Sequence, residues 1–155
     1  MQVKRCQRNL DAFYSLSSRS EAEVLAEVLE RTTDRCTDGL VLVFTSKLLV
    51  FKANEDDDSL SISSKNIRAS LNRKLFQKSR SPIWQEFIGR AFGWGWATVN
   101  QQGYCDGALL SFDGITPGVF LAVVASSIEI GRIFLEEEAA QTKSSVSGRM
   151  GTKVR

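Results

Sequence analysis

The feature that most constrains the fold is internal similarity, because the chain carries one pattern twice. Asp38-Gly39-Leu40-Val41-Leu42-Val43-Phe44 matches Asp106-Gly107-Ala108-Leu109-Leu110-Ser111-Phe112, an acid and a glycine followed by apolar positions that end in phenylalanine. Ser59-Leu60-Ser61-Ile62 and Ser127-Ile128-Glu129-Ile130 match at the same offset. Between these anchors each copy holds a further apolar stretch, Leu48 to Ala53 in one and Val119 to Ala125 in the other. Each unit therefore reads as strand, turn, strand, loop and short strand, since β-branched and aromatic side chains suit a pleated, half-buried surface. Leu60 and Ile62 alternate with Ser61, as Ile128 and Ile130 do with Glu129, so one face should meet a core and the other water. The first turn is Thr45-Ser46-Lys47; its counterpart, Asp113-Gly114 through Thr116-Pro117-Gly118, is wider and rich in breakers.

A helix is expected ahead of each unit. Ser20 is placed to cap the run Glu21 to Arg31, with Glu23 as its capping-box partner and Val24, Leu25, Val28 and Leu29 on one stripe. The second runs from Pro82 to Phe92, with proline in the permitted first turn, Trp84, Phe87, Ile88 and Ala91 together, and Gly93 as the stop. Gly93 to Asn100 then reads as an extra strand of the second unit, with Trp94 and Trp96 on the same side. The expected fold class is α+β, a largely antiparallel sheet made from two diverged strand-rich repeats, each preceded by a helix. One domain is expected over residues 20–138, with repeat units at about 20–64 and 82–134. Residues 1–19 read as a frayed N-terminal segment. Between the units, the linker 65–81 carries Lys65, Arg68, Arg73, Lys74, Lys78 and Arg80 without an acid; Ile67, Leu71 and Leu75 would give it one apolar stripe as a short amphipathic helix. Residues 139–155 are polar and small, which predicts a disordered tail.

Composition narrows the function classes. The 155 residues are 43% hydrophobic and 25% charged, the balance of a folded globular chain. Twenty basic against 18 acidic residues give a net charge of +2, so bulk electrostatics would not select a partner and nucleic acid is not indicated. Cys6, Cys36 and Cys105 are odd in number and lack CxxC spacing, which argues for a reducing compartment and against a zinc knuckle. The apolar run Val119 to Ala125 falls well short of the ~20 residues that cross a bilayer, and no apolar leader opens the sequence. A cytoplasmic location is expected. The competing reading is organelle targeting, from Lys4, Arg5, Arg8 and Arg19 among serines near the N-terminus.

There is no histidine, which removes Ser-His-Asp and Cys-His arrangements and every imidazole ligand. Asp38 and Asp106 would form an acid and base pair if the two units brought them together; the plainer reading is turn chemistry ahead of a strand. Asn54-Glu55-Asp56-Asp57-Asp58-Ser59 gathers oxygen ligands, yet with Asn54 first in an EF-hand loop, Ser59 stands where glycine belongs and Lys65 where the bidentate glutamate belongs. A solvated loop that blunts strand pairing is the better reading, and no metal or cofactor is expected. The basic linker lacks interleaved aromatics apart from Phe76, so a solvated face is favoured over phosphate binding. Cys105 has no electropositive neighbour in sequence and reads as a small apolar filler.

Gly93 to Gly107 is the least ordinary stretch. Glycines alternating with Trp94 and Trp96 allow close backbone approach beside large flat surfaces, and Asn100, Gln101, Gln102, Tyr104 and Asp106 add hydrogen-bonding groups. That combination suits a surface for a peptide, protein or small polar ligand; against it stands packing for the tryptophans and a turn for the amides.

The Asp38-to-Phe44 strand, the loop Ala53 to Leu60, Asn100-Gln101-Gln102-Gly103-Tyr104-Cys105-Asp106-Gly107 and Ala125-Ser126-Ser127-Ile128 together resemble a small, mostly bacterial family of domains of unknown function. The resemblance spans Glu21 to Phe134 and implies no activity, cofactor or catalytic residue. The function expected is a non-enzymatic binding or protein-interaction module, with no catalytic residues and no membrane partner. Two alternatives stand beside it: a carboxylate-based or metal-assisted hydrolase using Asp38, Asp106 and Asp56 to Asp58, and an immunity-type protein that neutralises a toxin.

Overall fold

The computed structural model describes residues 2–17, 21–69 and 71–134. One helix, α1 (Gln2–Ser17), precedes two antiparallel sheets. The first sheet is built from β1 (Glu27–Thr33), β2 (Cys36–Val43), β3 (Lys47–Ala53), β4 (Leu60–Asn66) and the short β5 (Gln77–Lys78), in the order β4-β3-β2-β1-β5. The second contains β6 (Phe92–Val99), β7 (Cys105–Phe112), β8 (Pro117–Val124) and β9 (Ser127–Arg132), in that order. The α+β class and the antiparallel pairing agree with the expectation, but the strands form two sheets rather than one.

Register aligns the sheets row by row. Leu29, Val41, Val50 and Ser63 stand side by side across the first sheet, and Trp96, Leu109, Phe120 and Gly131 do so across the second. The rows on either side, Val28-Leu42-Leu49-Ser64 and Gly95-Leu110-Val119-Arg132, lie at equivalent strand positions. Because side chains alternate along a strand, Leu40, Leu42, Phe44, Leu49 and Phe51 turn one way and meet Ala108, Leu110, Phe112, Val119 and Leu121 in a shared core.

The helix α1 closes one side of that core. It lies against β4 of one sheet and β6 of the other, sending in Ala12, Phe13 and Leu16. The Phe13 ring sits where a Cβ on Gly95 would be, 2.3 Å away, so β6 needs glycine there. On the opposite edge, the buried Asn9 side chain accepts from Ile62 N at 2.9 Å and donates to Leu60 O at 3.0 Å. One amide thus makes the two bonds that a neighbouring strand would make, and caps the β4 edge where its polar groups would otherwise be buried unpaired.

Four expectations are corrected. Residues 1–19 are not a frayed segment over their described part, because α1 packs its Asn9, Ala12, Phe13 and Leu16 stripe into the core. The expected helix Glu21 to Arg31 is instead an irregular lead-in and β1. Leu29 packs on the outer face and Val28 on the inner, and a strand buried on both faces shows neighbouring apolar residues that imitate a helical stripe. Ser20 lies outside the described residues, and Glu23 accepts from Ser46 N and from the Ser46 hydroxyl instead of a helix terminus. The expected helix Pro82 to Phe92 shrinks to a 3-10 helix, Pro82–Glu86; Gly89, at φ 85°, turns the chain before Phe92 enters β6. The expected amphipathic helix over 65–80 is also absent. β4 runs on to Asn66, and a 3-10 turn, Arg73–Leu75, leads into β5. The tail 139–155 lies outside the described residues.

Candidate functional site

The outer faces of the two sheets differ. On the first, Leu29, Val41, Val43 and Leu48 form a second buried cluster, with Val50, Leu71 and Phe76 packed against it. Leu71 and Phe76 come from the segment that leaves β4 and crosses back to β5, so the basic linker works as a cover. Its cations face water, and Ile67 and Leu75 are 38% and 53% exposed. On the second sheet, the equivalent row of Trp96, Leu109, Phe120 and Gly131 forms no such cluster among the described residues. Phe120 is 38% exposed and Val124, on the same face, 50%.

Each residue on that face has a local cause. The Phe120 ring lies over Gly131, where an added Cβ would come within 2.1 Å of it. Trp94 N donates to the buried Ser111 hydroxyl at 2.7 Å, fixing the irregular start of β6. Beyond it, the Trp94 ring meets Tyr14 edge-on, with centroids 5.7 Å apart. Trp94 and Trp96 line one groove of about 140 Å³ between α1 and β6, with Leu10, Phe13, Tyr14 and Ser17 as its other wall. Both indoles are half-buried, outside the core cluster.

The polar residues singled out in the sequence sit on the β6–β7 hairpin. Asn100 organises its turn: Oδ1 accepts from Gln102 N at 3.0 Å and Tyr104 N at 3.1 Å. Gln101 and Gln102 are exposed at the tip. Asp106, one strand over from Thr98, accepts the Thr98 hydroxyl at 3.2 Å. The structure thus places Trp94 and Trp96 in one groove, while Tyr104 faces a different cavity.

That cavity, about 400 Å³, lies between α1, the β4 edge and the loop 54–59; Arg5, Arg8, Asn54, Asp57, Tyr104 and Cys105 are among its lining residues. Sequence reasoning missed it together with α1, although Asn9, Ala12, Phe13 and Leu16 carry helical spacing that could have revealed it. The acidic loop is stitched into the fold. Asp57 accepts from Ser59 N at 3.0 Å and pairs with Arg5 at 3.4 Å; hydrogen bonding from Ser59, then the nearby Arg5 charge, holds its carboxyl below the ordinary range. Asp58 accepts from Ser126 N at 2.8 Å in the β8–β9 turn. Cys105 is buried, accepts from Asn9 Nδ2 at 3.0 Å, and has its thiol pushed up by burial. That direction favours the unreactive thiol over the thiolate.

Asp38 and Asp106 each bind within their own sheet. Asp38 takes Arg31 in a two-point ion pair, at 2.8 and 3.0 Å, which raises the Arg31 guanidinium further. Among the described residues no three Cys, Asp or Glu side chains converge as metal ligands, and no helix is long and apolar enough to cross a membrane.

Among the described residues, these observations define an α+β domain of two stacked antiparallel sheets, sealed by one helix, with one outer sheet face covered by the linker and the other partly exposed. Within that class the chain belongs to a family of unknown function, DUF6334, whose sequence profile matches residues 6–135. The match takes in most of α1 as well as both sheets. No curated protein and no solved structure matches the chain.

Proposed function

We propose that this protein is a non-enzymatic protein-interaction module of the cytoplasm, and that it binds through the outer face of the second sheet. The observation that carries the reading is the row of half-buried Trp96 and Leu109 with exposed Phe120, at register positions whose counterparts in the first sheet lie under Leu71 and Phe76. The largest apolar patch on a folded monomer is often functional. Tryptophan is enriched at such sites because it combines large contact area with few rotamers to freeze. Trp94 and the groove beside Tyr14 extend the surface onto α1, and the hairpin carrying Asn100, Gln101, Gln102 and Asp106 gives it a polar rim, while Tyr104 on the same hairpin turns to the other cavity. Three free cysteines suit a reducing compartment.

The two sheets are further proposed to descend from one duplicated four-stranded unit, joined by the basic linker. The rows that align across four strands in each sheet support this, together with the two Asp-Gly pairs inside β2 and β7.

The test is an affinity measurement on a partner isolated with the full chain. Trp94→Ala with Trp96→Ala should weaken binding at least tenfold while far-UV circular dichroism and the unfolding midpoint stay close to those of the unaltered chain. An unchanged affinity with the fold intact would move the binding site elsewhere.

A further inference from the structure

We infer that the partner for this face is a second copy of the same chain, paired sheet on sheet about a two-fold axis. The inference rests on the reading of the face as an interaction surface, and names its occupant.

Self-pairing follows first from relief. Trp96, Leu109 and Phe120 stand in one row as a ridge. Immediately beside it Thr98, Gly107 and Ala122 form a row of small side chains, a furrow of the same length. A two-fold axis lying in the plane of contact, parallel to the ridge and midway between it and the furrow, sets each copy's ridge into the other's furrow, as an isologous interface requires. Stacked sheets pack about 10 Å apart with side chains interdigitated, and this relief supplies both partners of that packing.

Charge points the same way. The three ridge side chains are uncharged, and the acids beside the furrow stand at its two ends, Asp106 bonded to the Thr98 hydroxyl and Glu129 level with Ala122. An acidic or basic partner would find nothing to pair with at the centre, whereas homodimer interfaces are the apolar class.

Area fits a weak pairing. Strands ~4.8 Å apart and ~3.3 Å per residue give four strands of this length a face of about 500 Å². Two such faces bury about 1,000 Å² in total, below the ~1,200–2,000 Å² of stable complexes and in the range of a weak pairing that dissociates on dilution. Tyr14 and Trp94, at the α1 margin, add to it. The first sheet shows what this kind of row demands. There the chain covers Leu29, Val41 and Val50 with its own Leu71 and Phe76, and in the dimer the second copy's Phe120 and Trp96 take that part.

Sedimentation velocity on the full chain tests the pairing. The protein is expected at twice its 17.2 kDa mass at high concentration, dissociating on dilution with a red shift of tryptophan emission as Trp94 and Trp96 become wet. Phe120→Glu should sediment as a monomer with unaltered circular dichroism, while Val99→Glu, at the margin of the face, should leave the dimer in place. A monomer at submillimolar concentration, or a Phe120→Glu variant that still pairs, overturns the inference. If the unaltered chain is monomeric yet loses a different partner on substitution of Trp94 and Trp96, the pairing fails while the interaction surface stands. If that substitution changes neither self-association nor any partner's affinity, both fail.

Discussion

The outer faces of the two sheets each carry a row of apolar residues across consecutive antiparallel strands, and they differ in what covers them. Val41 and Leu109 occupy equivalent places, as do Val50 and Phe120, so the strands alone would leave two apolar faces in water. One is covered because the chain leaving β4 turns back across it, with Leu71 and Phe76 held there between the turn after Asn66 and the pairing of β5 with β1. The other stays open over the described residues. A sheet face of this kind is thus covered by the chain's own linker in one case and left to solvent, over the described residues, in the other. The difference separates the part of the surface that belongs to folding from the part available for binding.

The comparison breaks most visibly if the cover is removed. Leu71→Asp with Phe76→Asp should expose Leu29, Val41, Val43 and Leu48 and cost about 2–4 kcal/mol, because two half-buried large side chains are lost and charges are set against an apolar cluster. Leu109→Asp with Phe120→Asp, measured by urea denaturation at high dilution where the chain is a monomer, should cost less, about 1–2 kcal/mol, because Phe120 is exposed and only Leu109 is half-buried. Equal losses in the two variants would mean that the second face is as integral to the monomer as the first.

A smaller effect is expected from the paired glycines inside β2 and β7. A Cβ on Gly107 would lie 2.4 Å from the Leu121 carbonyl oxygen, which is backbone and cannot swing aside. A Cβ on Gly39 meets Arg31 Cβ at 3.3 Å, a contact that a slight shift relieves. Gly107→Ala should therefore cost about 1–3 kcal/mol by overpacking, and Gly39→Ala under about 1. The measurement is the difference between the two urea midpoints. A reversal of order would show that the second sheet is the looser of the two.

Much of the strand layout was legible in the sequence, and the reasons for the misses are physical. Alternation in Leu60-Ser61-Ile62 and Ile128-Glu129-Ile130 was readable because each of these edge-region strands has one wet face. Val28 and Leu29 were misread because both faces of β1 are covered, which erases the period of two and leaves an apolar cluster with helical spacing. Ile67, Leu71 and Leu75 formed a stripe by count alone; only Leu71 packs on the cluster, and Phe76 joins it from outside the stripe. Asn9 gave no warning at all, since an amide that serves as a substitute strand is specified by tertiary contact. At the candidate site, alternation placed Trp94 and Trp96 on one side of a strand, and Asn100 fell in a turn by its chemistry. That Trp96 lies level with Leu109 and Phe120 depends on register across β6, β7 and β8, which no local pattern encodes.

The smallest difference lies in the two aspartates that precede the paired glycines. Asp38 is held by Arg31, whose side chain keeps 30% of its exposure against 15% for the acid, and its two-point geometry is the form of ion pair that contributes measurably. Asp106 accepts one hydroxyl bond from Thr98, which the amide oxygen of asparagine can accept equally well. Asp38→Asn should thus lower stability by about 1 kcal/mol, with the loss reduced in high salt because the lost term is partly screened charge. Asp106→Asn should change it by less than about 0.5 kcal/mol at any salt. Urea titrations of both variants at low and high ionic strength measure this directly. If Asp106→Asn proved the costlier and the more salt-sensitive change, Asp106 would have a charged partner beyond Thr98, and the second sheet's acid would need a role other than closing its own hairpin.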